Sequence, residues 1–385
     1  MAASLAARTL ARASFEEAFG EHAFLRAMLD FEATLAAAQA DEGLIPRESA
    51  VAIASACEAF EVDLEAFVAE GKQSATLAVP LVRLLKSRLP KAVAAHAHFG
   101  ATSQDVLDTA MALCLKPCLE EADRALEAAV RALADKARRH RATPMLGRTL
   151  MQPAIAITAG LKLARWAVAL SEDRERLAEA QAAGLALQLG GPVGALEAFG
   201  SHDCAVRQRM ARALGLADAS SWQAHRNAWI DLLDRIGLVV ITAGKIARDV
   251  ALLSQPEVGE MQESPPREGV GRSSAMPHKR NPVGCVHALA AATRMSGLLA
   301  IVHAGSLAEH ERALGGWQAE LATVADIAGA LGTSLDFLDT IAAGLVVDAD
   351  RMAANLRQYG EGPGDTALLA ARTDALLAEH ASGLS

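Results

Sequence analysis

Across residues 105–140 the apolar side chains Val106, Ala110, Leu113, Leu119, Leu126, Val130 and Leu133 recur at helical spacing, with Glu, Asp, Arg and Lys in the gaps. A run of that length predicts one very long helix, bent at Pro117, with other helices sharing its buried face. The pattern returns over 154–183, 229–253, 283–313 and 321–345, and shorter helical patterns cover 15–40, 50–60, 64–71 and 81–89. Hydrophobic residues make up 52% of the chain but aromatics only 4%, so the core must be closely packed alanine and leucine. A sheet-rich fold would want more β-branched and aromatic side chains. The expected fold class is therefore all-α: a small N-terminal helical domain over 1–100, a long-helix bundle over 101–345 and a shortened helical segment over 346–385.

Charge and cysteine usage narrow the function. A net charge of −9 leaves no basic footprint for nucleic acid. No apolar run reads as a membrane span, and residues 1–14 lack the apolar core of a signal peptide, so the expected address is cytoplasmic. The five cysteines, Cys57, Cys114, Cys118, Cys204 and Cys285, form no disulfide framework. Cys114 and Cys118 lie one helical turn apart, and His96 and His98 alternate, but neither pair has the companions a metal site needs. No metal and no cofactor are expected. The cluster from Gly190 to Leu196 has neither the preceding strand nor the Lys-Ser/Thr of a phosphate loop.

The densest chemistry lies in Gly271-Arg272-Ser273-Ser274-Ala275-Met276-Pro277-His278-Lys279-Arg280-Asn281-Pro282. Prolines stiffen this stretch and Gly269 and Gly271 free its entrance, as suits a loop that closes over a ligand. Between Ser264 and Val286, Arg267, Arg272, Lys279 and Arg280 oppose Glu268 alone, which favours an anionic guest.

This stretch resembles the signature loop of the fumarase/aspartase superfamily, Gly-Ser-Ser-x-Met-Pro-x-Lys-x-Asn-Pro, and departs from it only where Arg272 replaces the first glycine. Two more superfamily segments occur in the expected order, His98-Phe99-Gly100-Ala101-Thr102-Ser103-Gln104-Asp105-Val106-Leu107-Asp108-Thr109 and Gly147-Arg148-Thr149-Leu150-Met151-Gln152-Pro153. The resemblance covers roughly residues 20 to 345. It implies a homotetramer whose active sites are each built by three subunits, and a larger C-terminal domain than this chain carries.

Within the superfamily, eliminating members such as fumarase, argininosuccinate lyase and adenylosuccinate lyase pair a histidine after the second motif's threonine with a glutamate after the signature loop. Here those positions are Leu150 and Val286, which move no proton. An elimination that expels an amine or hydroxide needs an acid for its leaving group, whereas ring closure by an internal carboxylate does not. The departure is similar to that of the lactonizing branch, the 3-carboxy-cis,cis-muconate cycloisomerases. Met28-Leu29-Asp30-Phe31-Glu32-Ala33, the histidine-free Leu77-Ala78-Val79-Pro80-Leu81-Val82, and Glu309 to Trp317 agree with that branch.

The resemblance implies conversion of 3-carboxy-cis,cis-muconate to 4-carboxymuconolactone, a step of protocatechuate breakdown, with 3-sulfomuconate as a related substrate. Ser273 takes proton transfer at carbon, aided by Lys279 and the backbone amides beside it. Thr102, Ser103, Thr149, Gln152 and Asn281 donate to substrate carboxylates, and Arg312 is a further clamp. Arg148, Ser274, Met276 and His278 complete the expected binding surface, His278 as an orienting group. Without the resemblance, Thr102 and Ser103 read as capping residues of the long helix and Thr149 and Gln152 as helix-entry polar groups. The rival functions are a fumarate-releasing lyase and a catalytically inactive structural relative.

Overall fold

The computed structural model of the chain describes residues 9–264, 270–273, 275–276, 279–360 and 362–380. The first helices are α1 (Ala13–Ala18), α2 (Glu21–Asp41), α3 (Arg47–Glu58), α4 (Leu64–Ser74), α5 (Ala78–Ser87) and α6 (Lys91–Ala94). The pattern over 15–40 is thus two helices, because the chain turns at Phe19-Gly20 before α2 begins. Asp63 starts α4 by accepting from the Glu65 and Ala66 amides.

The bundle consists of α7 (Ser103–Arg139), α8 (Ala159–Gly184), α10 (Asn227–Leu253), α11 (Val283–Gly305) and α12 (Gly316–Gly344), with α9 (Asp203–Leu214) set beside α2. α7 runs unbroken through Pro117. Small residues let these helices touch: a Cβ on Gly244 of α10 would lie 2.5 Å from the Ala292 Cβ of α11. The close alanine packing expected from the low aromatic content is what places these axes near one another.

Two stretches expected to be helical are not. Residues 144–158 form a hairpin of β1 (Pro144–Thr149) and β2 (Gln152–Thr158), so the helix read from 154 begins only at Ala159. Ile155 and Ile157 fit either period over so short a run, and β pairing wins. Likewise α11 stops at Gly305, and 306–315 is a connection whose Gly315 has φ 93°.

A buried ion cluster crosses the bundle. Arg226 donates to Asp108 at 2.7 and 3.1 Å and to Glu320 at 2.7 Å, lies over the Trp222 ring at 4.6 Å, and shares Glu320 with the Trp229 indole N–H. All three charged side chains are essentially inaccessible. Two carboxylates against one guanidinium hold the Arg226 pKa above its ordinary value despite burial.

The chain closes with β3 (Met261–Gln262) paired to β4 (Val346–Val347), then α13 (Ala349–Tyr359) against β1 and α14 (Thr366–Glu379) against α8 and β2. By length and composition α11 and α12 reach the measure of a membrane span, contrary to the sequence reading. Most of the apolar stretch of α12 is buried in the bundle, but only 33% of that of α11 is, and Val286 and Ile301 stand on its outer face.

Candidate active site

The first cluster forms where α7 begins. Thr102 is the N-cap, and its amide donates to Asp105 Oδ2 at 2.9 Å. Asp105, fully buried, also accepts from the Gly190 and Gly191 amides and from Gln188 Nε2, each at 2.9 Å. It therefore bolts the Thr102 turn to the glycine loop that follows α8. Burial pushes the Asp105 carboxyl up to about 6, and these four donors oppose the rise.

Arg312, from the connection between α11 and α12, meets the same turn. Its Nη2 donates to Thr102 Oγ1 at 2.6 Å and to the Pro192 carbonyl at 2.9 Å, while its buried Nε has no protein partner. Gln223 holds the Glu311 carbonyl at 2.8 Å and so fixes this connection from the other side. Arg312 is thus brought to the Thr102-Ser103 turn from 210 residues away in sequence.

Below the turn, His98 sits at φ 58° with Nδ1 2.6 Å from Glu32 Oε1, and His96 Nδ1 is 3.0 Å from Ser49 Oγ. The alternating histidines face different partners. Burial pulls the His98 pKa down, but the adjacent Glu32 more than offsets it and the net direction is upward.

The second cluster is the hairpin. Thr149 and Gln152 are register partners across the turn Leu150-Met151, and all four residues are exposed. Arg148, expected to bind substrate, has its two terminal nitrogens on Glu260 at 2.8 and 2.7 Å, and Glu260 is fully buried. Asn355 of α13 donates to the same carboxylate at 2.8 Å. The Arg148 fork is thus spent on fastening the hairpin to the segment that leads into the signature loop.

The third cluster is that loop. Asn281 N donates to the Gly271 carbonyl at 2.8 Å, and Arg272 and Arg280 face each other in an antiparallel bridge, so the two ends of the loop, called the finger below, are held side by side. Gly271 has φ 76°, and a Cβ there would meet the Asn281 carbonyl at 2.5 Å. Within the finger, Ser273 Oγ accepts from the amides of Ala275 at 3.3 Å and Met276 at 3.1 Å. Two N–H dipoles aimed at one hydroxyl oxygen stabilise negative charge on it. Lys279, Met276 and Asn281 are placed on the same finger, while Ser274 and His278 lie outside the described residues. At its base Glu263 accepts from the Gly284 and Cys285 amides at 3.0 Å, capping α11.

Sequence reasoning missed Asp105, Glu260 and Glu263, which hold the clusters without belonging to them. Only Asp105, three residues into a long helix after a threonine, carried a local signal, that of a capping pair.

A family model described as lyase matches residues 8–297. The 3-carboxy-cis,cis-muconate cycloisomerase of Bradyrhizobium diazoefficiens is 40% identical over 356 residues, 91% of this chain and 79% of that protein. The Pseudomonas putida protein of the same name is 40% identical over 348 residues, covering 89% and 82%. The crystal structure of 3-carboxy-cis,cis-muconate lactonizing enzyme from Pseudomonas putida superposes with a TM-score of 0.85 over 98% of this chain and 86% of that one, at 36% identity. With the signature finger, the α7 turn and the hairpin all present, the chain belongs to the lyase family of the fumarase/aspartase superfamily, in its 3-carboxy-cis,cis-muconate cycloisomerase branch.

Proposed function

We propose that this chain is a cycloisomerase that closes 3-carboxy-cis,cis-muconate to 4-carboxymuconolactone. The observation that carries the reading is a contrast. Ser273 keeps its hydroxyl under two amide donors, whereas the positions that would protonate a leaving group hold Leu150 and Val286. A site so equipped exchanges a proton at carbon and does nothing for a departing amine or hydroxide.

In the forward direction one substrate carboxylate oxygen adds to a double bond of the same molecule. The electron pair moves onto the carbon beside another carboxylate, giving an enediolate-like intermediate. Ser273 gives its proton to that carbon, and the resulting alkoxide rests under the Ala275 and Met276 amides, with Lys279 of the same loop as the assigned cation, until it is reprotonated. Thr102, Ser103, Thr149, Gln152 and Asn281 offer hydroxyl and amide donors to the three carboxylates, which hold the anion without a permanent ion pair. Arg148 we assign to positioning, since its terminal nitrogens serve Glu260.

The apolar outer faces of α11 and of α10 at Leu238 and Ile241 support an assembly in which copies of the chain complete each other's sites. We read that assembly as a homotetramer in the cytoplasm. The test is to mix purified protein with 3-carboxy-cis,cis-muconate, 3-sulfomuconate, adenylosuccinate and argininosuccinate. Loss of diene absorbance without fumarate release is the expected result. Fumarate from either succinate adduct would return the chain to the eliminating lyases.

A further inference from the structure

The turn between β1 and β2 is built against local preference. Thr149 pairs with Gln152, so Leu150 and Met151 form a two-residue turn, and both have positive φ, 49° and 63°. Hairpin turns of that handedness are ordinarily made from Asn and Gly, because a Cβ crowds the backbone there. Leu150 and Met151 are also bare, at 95% and 69% exposure. Backbone conformation and exposed apolar area both count against these residues, so the packing of this chain gives no reason for them. Strain kept at an exposed point beside candidate ligands points to use elsewhere.

The base of the hairpin, by contrast, is firmly mounted. Arg148 is locked to the buried Glu260, α13 packs on β1, α14 packs on β2, and a Cβ on Gly147 would meet the Ile155 carbonyl at 2.5 Å. A rigid base and an unsupported tip make a projection. Its tip reads Thr149, Leu150, Met151, Gln152: polar donors at the flanks and apolar surface between them. The proposed substrate has the matching order of groups, anionic ends separated by a flat apolar diene.

We propose that Leu150 and Met151 are specificity-determining contacts, held in a strained turn so that the tip enters the active site of a neighbouring copy. There the pair covers the diene and keeps water from the enediolate-like intermediate, while Thr149 and Gln152 donate to a carboxylate. The inference rests on the substrate and the assembly proposed above.

The discriminating variant is L150N/M151G, which gives the turn its preferred residues and removes the apolar surface. It leaves Ser273, Lys279 and Asn281 in place. The expected result is an apparent melting temperature unchanged or raised by about 1–2 °C, an unchanged assembly mass by light scattering, and kcat/KM lowered by roughly tenfold or more. The conservative variant L150M stays within about threefold of the parent, because an unbranched thioether covers similar area. A role in folding alone would move stability and turnover in the same direction, whereas this role moves them in opposite directions. Should the double variant fail to fold, L150S carries the same expectation for turnover. Full turnover in the relieved variant overturns the inference, and so does a loss of turnover that follows loss of assembly mass. A parent protein that leaves the diene untouched overturns the substrate reading itself, a result separate from an active parent with an indifferent variant.

Discussion

Arg312 Nη2 donates to Thr102 Oγ1 at 2.6 Å across 210 residues of sequence. Because the Thr102 oxygen accepts from a guanidinium, its own proton is free to be given to an anion. The same nitrogen holds the Pro192 carbonyl, so one guanidinium nitrogen sets both the hydroxyl and the glycine loop. R312A is expected to raise KM by about tenfold or more with kcat within roughly threefold, as for an interaction made equally in ground and transition states. R312K restores little, because an ammonium lacks the planar guanidinium that directs two N–H groups from one nitrogen at fixed angles. Steady-state kinetics decide it, and a fall in kcat at constant KM would give Arg312 a part in the chemistry instead.

Arg148 makes a different prediction from the one its motif suggests. R148M leaves Glu260 buried with Asn355 as its remaining side-chain donor. Leaving the buried Glu260 carboxylate short of a donor costs about 1–3 kcal/mol. Denaturant unfolding should show that loss. A variant of parental stability with a raised KM would make Arg148 a substrate ligand after all.

Asp105 links the α7 turn to pH. Its carboxyl lies at about 6 in the fold against an ordinary 3.8, so between those values the folded chain holds a proton that the unfolded chain has released. Stability from this residue therefore falls as pH rises from about 4 to about 6, and the whole cost, on the order of 3 kcal/mol, is present above that. D105N does not titrate. The difference in unfolding free energy between parent and variant should shift across that window and be flat above pH 7. A difference that is flat throughout would mean the four donors hold the carboxylate ionised over the whole range.

The long helices were legible because their apolar spacing extends over many turns, so that local ambiguity averages out, as for α7 and α10. The hairpin was not, since Gln152 to Thr158 is short and its isoleucines suit either period. The candidate site residues were named from a pattern of residue types, but the acids that support them were not legible. Glu260 and Glu263 act on partners far away in sequence, and nothing local marks an acid whose partner is Arg148 or the amide of Gly284. The partner of Arg148 was illegible for the same reason: the sequence shows a cation beside a binding motif, but not the buried acid that it meets.

We assign the proton transfer to Ser273, and its surroundings set the size of the expected effect. Its Oγ is 3.1 Å from the Met276 amide and 3.3 Å from that of Ala275, donors that remain when the hydroxyl is removed. S273A therefore keeps the shape of the finger and the rest of the carboxylate grip but loses the group that exchanges hydrogen with carbon. The expectation is a fall in kcat of roughly 10²–10⁴ with KM within about threefold. In deuterated buffer the residual lactone should lose its stereospecific label at the protonated carbon, because solvent then reaches it from either face. K279M is expected to lower kcat less than S273A does, since we place Lys279 as the cation that steadies the alkoxide and not as the proton donor. An S273A protein that turns over at the parental rate and labels one face only would transfer the proton assignment to another residue.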